Sequence, residues 1–311
     1  MNPRIGLGCE GLTGKSGEKT SVATLHAATN SGITLLDTGD FYGMGSNEAF
    51  LGRHLGDREN TVLSVKFGGL RDPNGNFVGI EGRPAHVKAS LAYSLQRLNT
   101  DHVDVYRPAR LDPAVPIEDT IGAIAEMVQA GYVRRIGLSE VGAETIRRAH
   151  AVHPIVDLQI EYSLFSRSIE TNGILETCRE LGIGITAYGV LAHGLLTGSY
   201  RPTGQPPFHL PWFHEENLAT NLALVDALRT IADTKGVSVA QLAIAWVLAQ
   251  GEDIVPLVGA SRPERIPEAV AAAELHLSDD DLAAIAAAVP PSAVAGTRYA
   301  APLMRLLDSE R

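Results

Sequence analysis

Residues 103–138, VDVYRPARLDPAVPIEDTIGAIAEMVQAGYVRRIGL, read as a strand, a helix and a second strand. Val103–Tyr106 is a short apolar run. Pro116 has its φ preset for a helix start, and Ile117, Ile121, Ile124 and Met127/Val128 then recur at helical spacing until Gly131 closes the segment. Val133–Leu138 is a second apolar run. A helix bridging two strands joins them in parallel through a right-handed crossover.

The same alternation extends in both directions. Strands are predicted at 4–8, 34–37, 62–66, 103–106, 133–138, 156–160, 184–188 and 254–258. Val87, Leu91, Leu95 and Leu98 form a helical stripe before the fourth. Ile174, Leu175, Cys178 and Leu181 form another between the sixth and seventh, with Gly182 as terminator. Ser261-Arg-Pro-Glu264 has the spacing of a capping box after the eighth strand, and Ser278-Asp-Asp-Asp281 opens a further helix. Eight strand–helix units favour closure over an open sheet. The expectation is an α/β fold, a (β/α)8 TIM barrel forming a single domain over 1–311 with extra helices. Two segments exceed ordinary connections, 199–217 and the tail 289–311, and both are expected at the active-site mouth.

Composition narrows the class of function. Of 311 residues, 45% are apolar and 20% charged, enough for a sizeable core. Lys and Arg total 26 against 36 Asp and Glu, a net charge of −10, which disfavours phosphate-backbone binding to nucleic acid. Cys9 and Cys178 are too few for a disulfide framework or a four-thiolate zinc site. The first residues lack a signal peptide's apolar run, and no stretch reaches the roughly 18 apolar residues of a membrane span. These features point to a soluble cytoplasmic enzyme with a small-molecule substrate, no metal, and no nucleic-acid or membrane partner.

Two glycine motifs near the N-terminus mislead. Gly6-Leu-Gly8-Cys-Glu-Gly11 matches G-x-G-x-x-G, but a dinucleotide fingerprint needs a helix opening at the third glycine, and two more glycines follow first. Gly14-Lys15-Ser16 resembles the end of a phosphate loop, yet Cys9 stands where that loop requires glycine. A glycine-rich turn after the first strand accounts for both.

Chemistry gathers at the strand ends. Asp37 ends one predicted strand, Tyr42 lies five residues on, and Lys66 ends the next. The C-terminal strand ends of a barrel converge, so the three can meet. A free phenol titrates near ~10. A neighbouring ammonium lowers that value, while a carboxylate keeps the lysine charged and in place. Taken singly, each has a plain structural reading; together they form a proton donor.

Asp37-Thr-Gly-Asp-Phe-Tyr42-Gly, Val65-Lys66-Phe-Gly, Gly137-Leu-Ser139-Glu, Gln159-Ile-Glu-Tyr-Ser, Tyr188-Gly-Val-Leu-Ala-His-Gly-Leu-Leu-Thr-Gly198 and the segment from Ser261 together resemble the aldo-keto reductase superfamily, in order along the chain. Trp246 with Leu248-Ala-Gln-Gly-Glu-Asp-Ile-Val-Pro is similar to the branch that holds channel β subunits and bacterial reductases. The resemblance implies NADP(H) lying across the barrel mouth and a hydride transfer to a carbonyl. It implies Tyr42 as the general acid, tuned by Lys66 and Asp37. Ser139 and Gln159 would hold the nicotinamide amide and Tyr188 would stack on its ring, with Gly189, Leu191 and Gly259 alongside. Ser261 would open a helix toward the phosphates. Arg262 and Arg265 would meet the 2′-phosphate, and Glu268 would reach the adenine. Glu140 and Ala269 stand where many members have asparagine.

One position departs from the family. Members carry a histidine shortly after the fourth strand, where Asp104-Val-Tyr-Arg-Pro-Ala109-Arg110 has Ala109. Alanine donates no hydrogen bond to a developing alkoxide, and loss of one such donor costs about 10²–10³ in rate. Arg107 lies roughly 7 Å back along an extended strand and Arg110 has the opposite parity, so neither replaces it simply. His193 is another possible donor. The substrate wall is expected from Cys9, the loop around Phe67, Ala109, His193, the tail and the 199–217 loop, with Phe208, Trp212 and Phe213 as its apolar members. The chain then reads as a carbonyl reductase. The alternatives are a reductase of a C=C, C=N or pyridoxal-like substrate, or a slow NADPH-binding sensor.

Overall fold

A computed structural model describes residues 4–13, 17–201 and 207–311. The strands are β1 (Gly6–Gly8), β2 (Leu35–Gly39), β3 (Val62–Phe67), β4 (Gly69–Arg71), β5 (Phe77–Ile80), β6 (Val103–Pro108), β7 (Val133–Ser139), β8 (Ile155–Glu161), β9 (Gly184–Tyr188) and β10 (Ile254–Gly259). Eight of them close a parallel barrel in the order β1-β10-β9-β8-β7-β6-β3-β2. Each matches an expected strand to within a few residues, and the (β/α)8 fold is the one anticipated. The antiparallel pair β4–β5 lies outside the barrel and has no counterpart in the sequence reading. Its turn, Asp72–Asn76, is held by the Asp72 carboxylate accepting from the Asn74 and Asn76 amides.

Parallel register aligns the chemically important residues. Asp37 pairs with Ser64 and Gly39 with Lys66 across β2–β3, while Lys66 pairs with Arg107 across β3–β6. The strands are buried on both sides, so they read as continuous apolar runs rather than alternating ones.

Around the barrel run α1 (Glu18–Asn30), α2 (Ser46–His54), α3 (Pro84–Leu98), α4 (Ile117–Gln129), α5 (Ala143–Val152) and α6 (Ile174–Glu180), then α7 (Glu215–Lys235), α8 (Val239–Ala249), α9 (Arg265–Ala272), α10 (Asp279–Ala288) and α11 (Ala301–Met304). The α4 stripe is buried at Ile117, Ile121 and Ile124. Each such side chain contributes about 1.5–3 kcal/mol when fully withdrawn from water. Gly131, at φ 85°, makes the left-handed turn that leads into β7. No single helix among the described residues is long and apolar enough to cross a membrane.

The two predicted helix starts after the eighth strand diverge. Ser278 opens α10 as expected, accepting from the Asp281 amide while the Asp281 side chain accepts from the Ser278 amide. Ser261 caps nothing: α9 begins only at Arg265, its N-cap position is Glu264, and no side chain caps it. A residue preceding proline disfavours helical backbone, so Arg262-Pro263 delays the helix past the predicted start.

Gly6–Gly8 form β1 and Cys9–Thr13 a single 3₁₀ turn, so the dinucleotide-like glycines open no Rossmann helix. The phosphate-loop-like Gly14-Lys15-Ser16 lies outside the described residues, as do positions 202–206 of the long loop. The rest of that loop folds inward at Trp212 and Phe213, and the tail bonds to it where the Ala300 amide donates to the His209 carbonyl.

Candidate active site

A cavity of about 570 Å³ opens at the C-terminal ends of the strands. Asp37 of β2, Lys66 of β3, Gln159 of β8, Tyr188 of β9 and Gly259 of β10 all line it, with Tyr42, Gly189, Leu191 and His193 from the following loops. Of the residues predicted from sequence, these nine come together. Glu10, Arg110 and Tyr299 line the same cavity and were not among them.

At its base, Lys66 Nζ is ion-paired with Asp37 Oδ1, both side chains almost wholly buried. The other Asp37 oxygen accepts from Ser64 Oγ at 2.7 Å and from Gln159 Nε2 at 2.8 Å. The carboxylate is therefore held at both oxygens. Lys66 Nζ stands 4.9 Å from the centre of the Tyr42 ring.

The electrostatics differ from the sequence expectation. Burial pushes the Tyr42 phenol well above 10, and Asp37 and Glu10 push it further; Arg110 opposes them. Lys66 is itself lowered, chiefly by burial, with Asp37 opposing. The acidic phenol that the lysine charge alone suggests is thus not produced, because burial, helped by the Asp37 and Glu10 carboxylates, outweighs the nearby cations. At neutral pH Tyr42 carries its proton, the form a general acid requires.

His193 lines the cavity as a neutral imidazole, its pKa lowered to about 4 mainly by burial. It occupies a left-handed backbone position at φ 52°. Six other candidates for the substrate wall sit elsewhere. Cys9 and Phe67 are fully buried, the latter stacked on Tyr106 at 4.5 Å. Trp212 packs edge-on against Phe165. Ala109 is buried and its methyl does not reach the cavity. Phe208 is exposed, and Phe213 packs on Tyr200. Cys9, Phe67, Trp212 and Phe213 are withdrawn into the core instead, where apolar side chains and free thiols are most often found.

Among the residues expected to hold a nucleotide, Ser139 Oγ is buried with no hydrogen-bond partner among the described residues. Tyr188 presents its ring at the cavity while its hydroxyl donates to Glu140 Oε1 at 2.8 Å. Gly189 has φ 66°, and a Cβ there would lie 2.9 Å from the Glu161 side chain, so glycine is required. Ser261, Arg262 and Arg265 are exposed beyond the rim. Arg265 is paired with Glu268 at 3.0 Å, and Glu268 also accepts from Ser238 Oγ at 2.7 Å. Arg262 has no ion-pair partner among the described residues.

Behind Tyr188 lies a polar cluster that sequence reasoning missed. Glu140, at φ 54°, is fully buried and paired with Arg298 of the tail at 2.6 Å. Arg298 also reaches Glu161 at 3.3 Å and Glu310 at 2.8 Å. Only the asparagine-to-glutamate exchange at 140 hinted that a cation would be needed there. Nothing local marks Arg298 as its partner.

A family model described as the aldo/keto reductase family matches residues 4–290. The chain is 40% identical over 310 residues to a probable aldo-keto reductase 1 of Glycine max, covering 95% of this chain and 88% of that one. It is 39% identical to an aldo-keto reductase of Schizosaccharomyces pombe whose name carries the NADP(+) designation, covering 96% and 91%. Among solved structures, a glycerol dehydrogenase from Gluconobacter oxydans superposes with TM-score 0.84 at 30% identity, over 93% of this chain and 92% of that one. A holo-form aldo-keto reductase from Bacillus halodurans gives TM-score 0.79 at 27% identity, over 93% and 92%. The barrel, the buried acid–lysine pair beside a tyrosine, and the match along almost the whole chain lead to one conclusion: this chain belongs to the aldo/keto reductase family.

Proposed function

We propose that the protein reduces the carbonyl of a small molecule with NADPH, Tyr42 donating the proton. The observation that carries this reading is the meeting of Tyr42, Lys66 and Asp37 at the floor of one cavity. The unpartnered Ser139 Oγ, the amide of Gln159 and the face of Tyr188 fit a nicotinamide ring and its carboxamide. Exposed Arg262, beside Ser261, fits the 2′-phosphate. When bound, NADPH supplies a hydride and leaves as NADP(+).

The chain's own residues do the rest. Tyr42 gives its hydroxyl proton to the carbonyl oxygen as the carbon accepts the hydride, so that C=O becomes CH–OH. Lys66 stabilises the phenolate left behind, and Asp37, held by Ser64 and Gln159, fixes Lys66 in place. The buried floor keeps water from competing for that proton. Because Ala109 brings no imidazole to the cavity, a C=C, C=N or pyridoxal-like acceptor, which needs no donor at that point, is the second reading.

The test is NADPH consumption on a panel of aldehydes, ketones, enones and imines. Tyr42→Phe is expected to lower turnover by about 10²–10⁴, with NADPH affinity retained. Unchanged turnover in that variant would remove Tyr42 from the chemistry.

A further inference from the structure

Among the described residues, the buried cations at the strand ends are neutralised. Lys66 has Asp37, Arg107 has Asp157 at 3.1 Å, and Arg298 has Glu140 and Glu161. Arg110 lines the cavity, and no carboxylate lies within ion-pair distance of it among the described residues. Its single hydrogen bond there runs from Nη1 to the Ala109 carbonyl at 2.6 Å. Most of a guanidinium's five donors are therefore unspent, in a half-buried position where an unmatched charge is costly.

Strand parity suggested that Arg110 would point away. It does not apply, because β6 ends at Pro108 and the chain turns beyond it. With Ala109 too short to reach the cavity, Arg110 is the residue from the end of β6 that enters it. Glu10 also lines the cavity, but it follows β1, three strands round the barrel from β6, and is solvent-exposed. The cavity thus carries on one side a guanidinium without an ion-pair partner, within electrostatic reach of the Tyr42 hydroxyl, as the Glu10 carboxylate is from the other.

We propose that Arg110 receives a carboxylate carried by the substrate close to its reacting carbonyl, so that oxo acids are the preferred substrate class. This rests on the carbonyl-reductase reading and narrows it. A guanidinium fork grips a carboxylate through two parallel hydrogen bonds, which fixes orientation as well as affinity. Held there, an adjacent carbonyl would be presented toward Tyr42. The cavity of about 570 Å³ has room for a nicotinamide ring and a small oxo acid side by side.

The experiment pairs phenylglyoxylate with its methyl ester as substrates, and benzoate with benzamide as non-reacting ligands of the NADP(+)-loaded protein measured by calorimetry. Wild type, Arg110→Ala and Arg110→Lys are compared. The wild type should prefer the acid. In Arg110→Ala the acid-to-ester ratio of kcat/KM should fall about ten- to a hundredfold, mostly through KM. Benzoate binding should disappear, and Arg110→Lys should recover part of both. If the ratio holds while both substrates slow equally, or if benzoate still binds the alanine variant, the proposal is overturned. Weakened NADP(+) binding in Arg110→Ala with the ratio intact would overturn it too, by making Arg110 a cofactor ligand. Should the wild type reduce neither substrate yet bind benzoate through Arg110, the anion site stands and the carbonyl-reductase reading fails alone.

Discussion

Arg298 and Glu140, 158 positions apart, meet in a buried two-pronged ion pair: Nη1 donates to Oε1 at 2.8 Å and Nη2 to Oε2 at 2.6 Å. Tyr188 and Ser309 donate to the same carboxylate. The pair joins the tail to the loop after β7, directly behind the aromatic wall of the cavity.

Removing one partner would strand the other charge in a dry setting. Arg298→Met is expected to lower unfolding stability by about 3–5 kcal/mol and to release the tail to proteases. A urea midpoint and limited digestion measure both effects. A loss below about 1 kcal/mol, the scale of an exposed pair, would show that water screens the bridge.

The two fully buried carboxylates facing Arg298 are shifted in opposite directions. Burial alone would raise Glu140, but the guanidinium more than offsets it and takes it from 4.5 down to about 2. Glu161, the less favoured of the two, is pushed by burial up to about 7, against the pull of Arg298 and with the push of Glu140. Glu140 therefore contributes stability that is whole above 4.5 and lost as pH falls toward 2. Glu161 contributes stability that is whole below 4.5 and lost as pH rises through about 7. Melting temperature should peak between those limits. Glu161→Gln should flatten the alkaline flank and leave the acid flank in place; an unchanged alkaline flank would show that Glu161 is ionised throughout.

Beyond the rim, Arg265 is engaged by Glu268 while Arg262 is not. Arg262→Ala should weaken NADPH binding about tenfold, the lower end for a charge-assisted contact, and leave NADH nearly unaffected. Fluorescence titration with the two nucleotides decides it. Equal losses would place the 2′-phosphate elsewhere.

The barrel was legible because its signal is local. Apolar runs such as Val103–Tyr106 and stripes such as Ile117, Ile121 and Ile124 each declare their element without reference to distant residues. Asp37, Tyr42 and Lys66 were legible because parallel strands put their ends together whatever the loops do. The failures were of two kinds. Arg110 and Ser261 were misjudged by extending a strand or helix rule past the point where proline stops it. Arg298 and Tyr299 could not be found at all, since their meaning comes from Glu140 and the cavity, far away in the chain.

The dependence of Glu140 on Arg298 and Ser309 has a consequence for biosynthesis. As the polypeptide leaves the ribosome, β1 to β10 can assemble once residue 259 is free. Until Arg298 also emerges, the Glu140 carboxyl lacks the guanidinium that pairs with it. The wall behind Tyr188 is thus complete only when that arginine is in place.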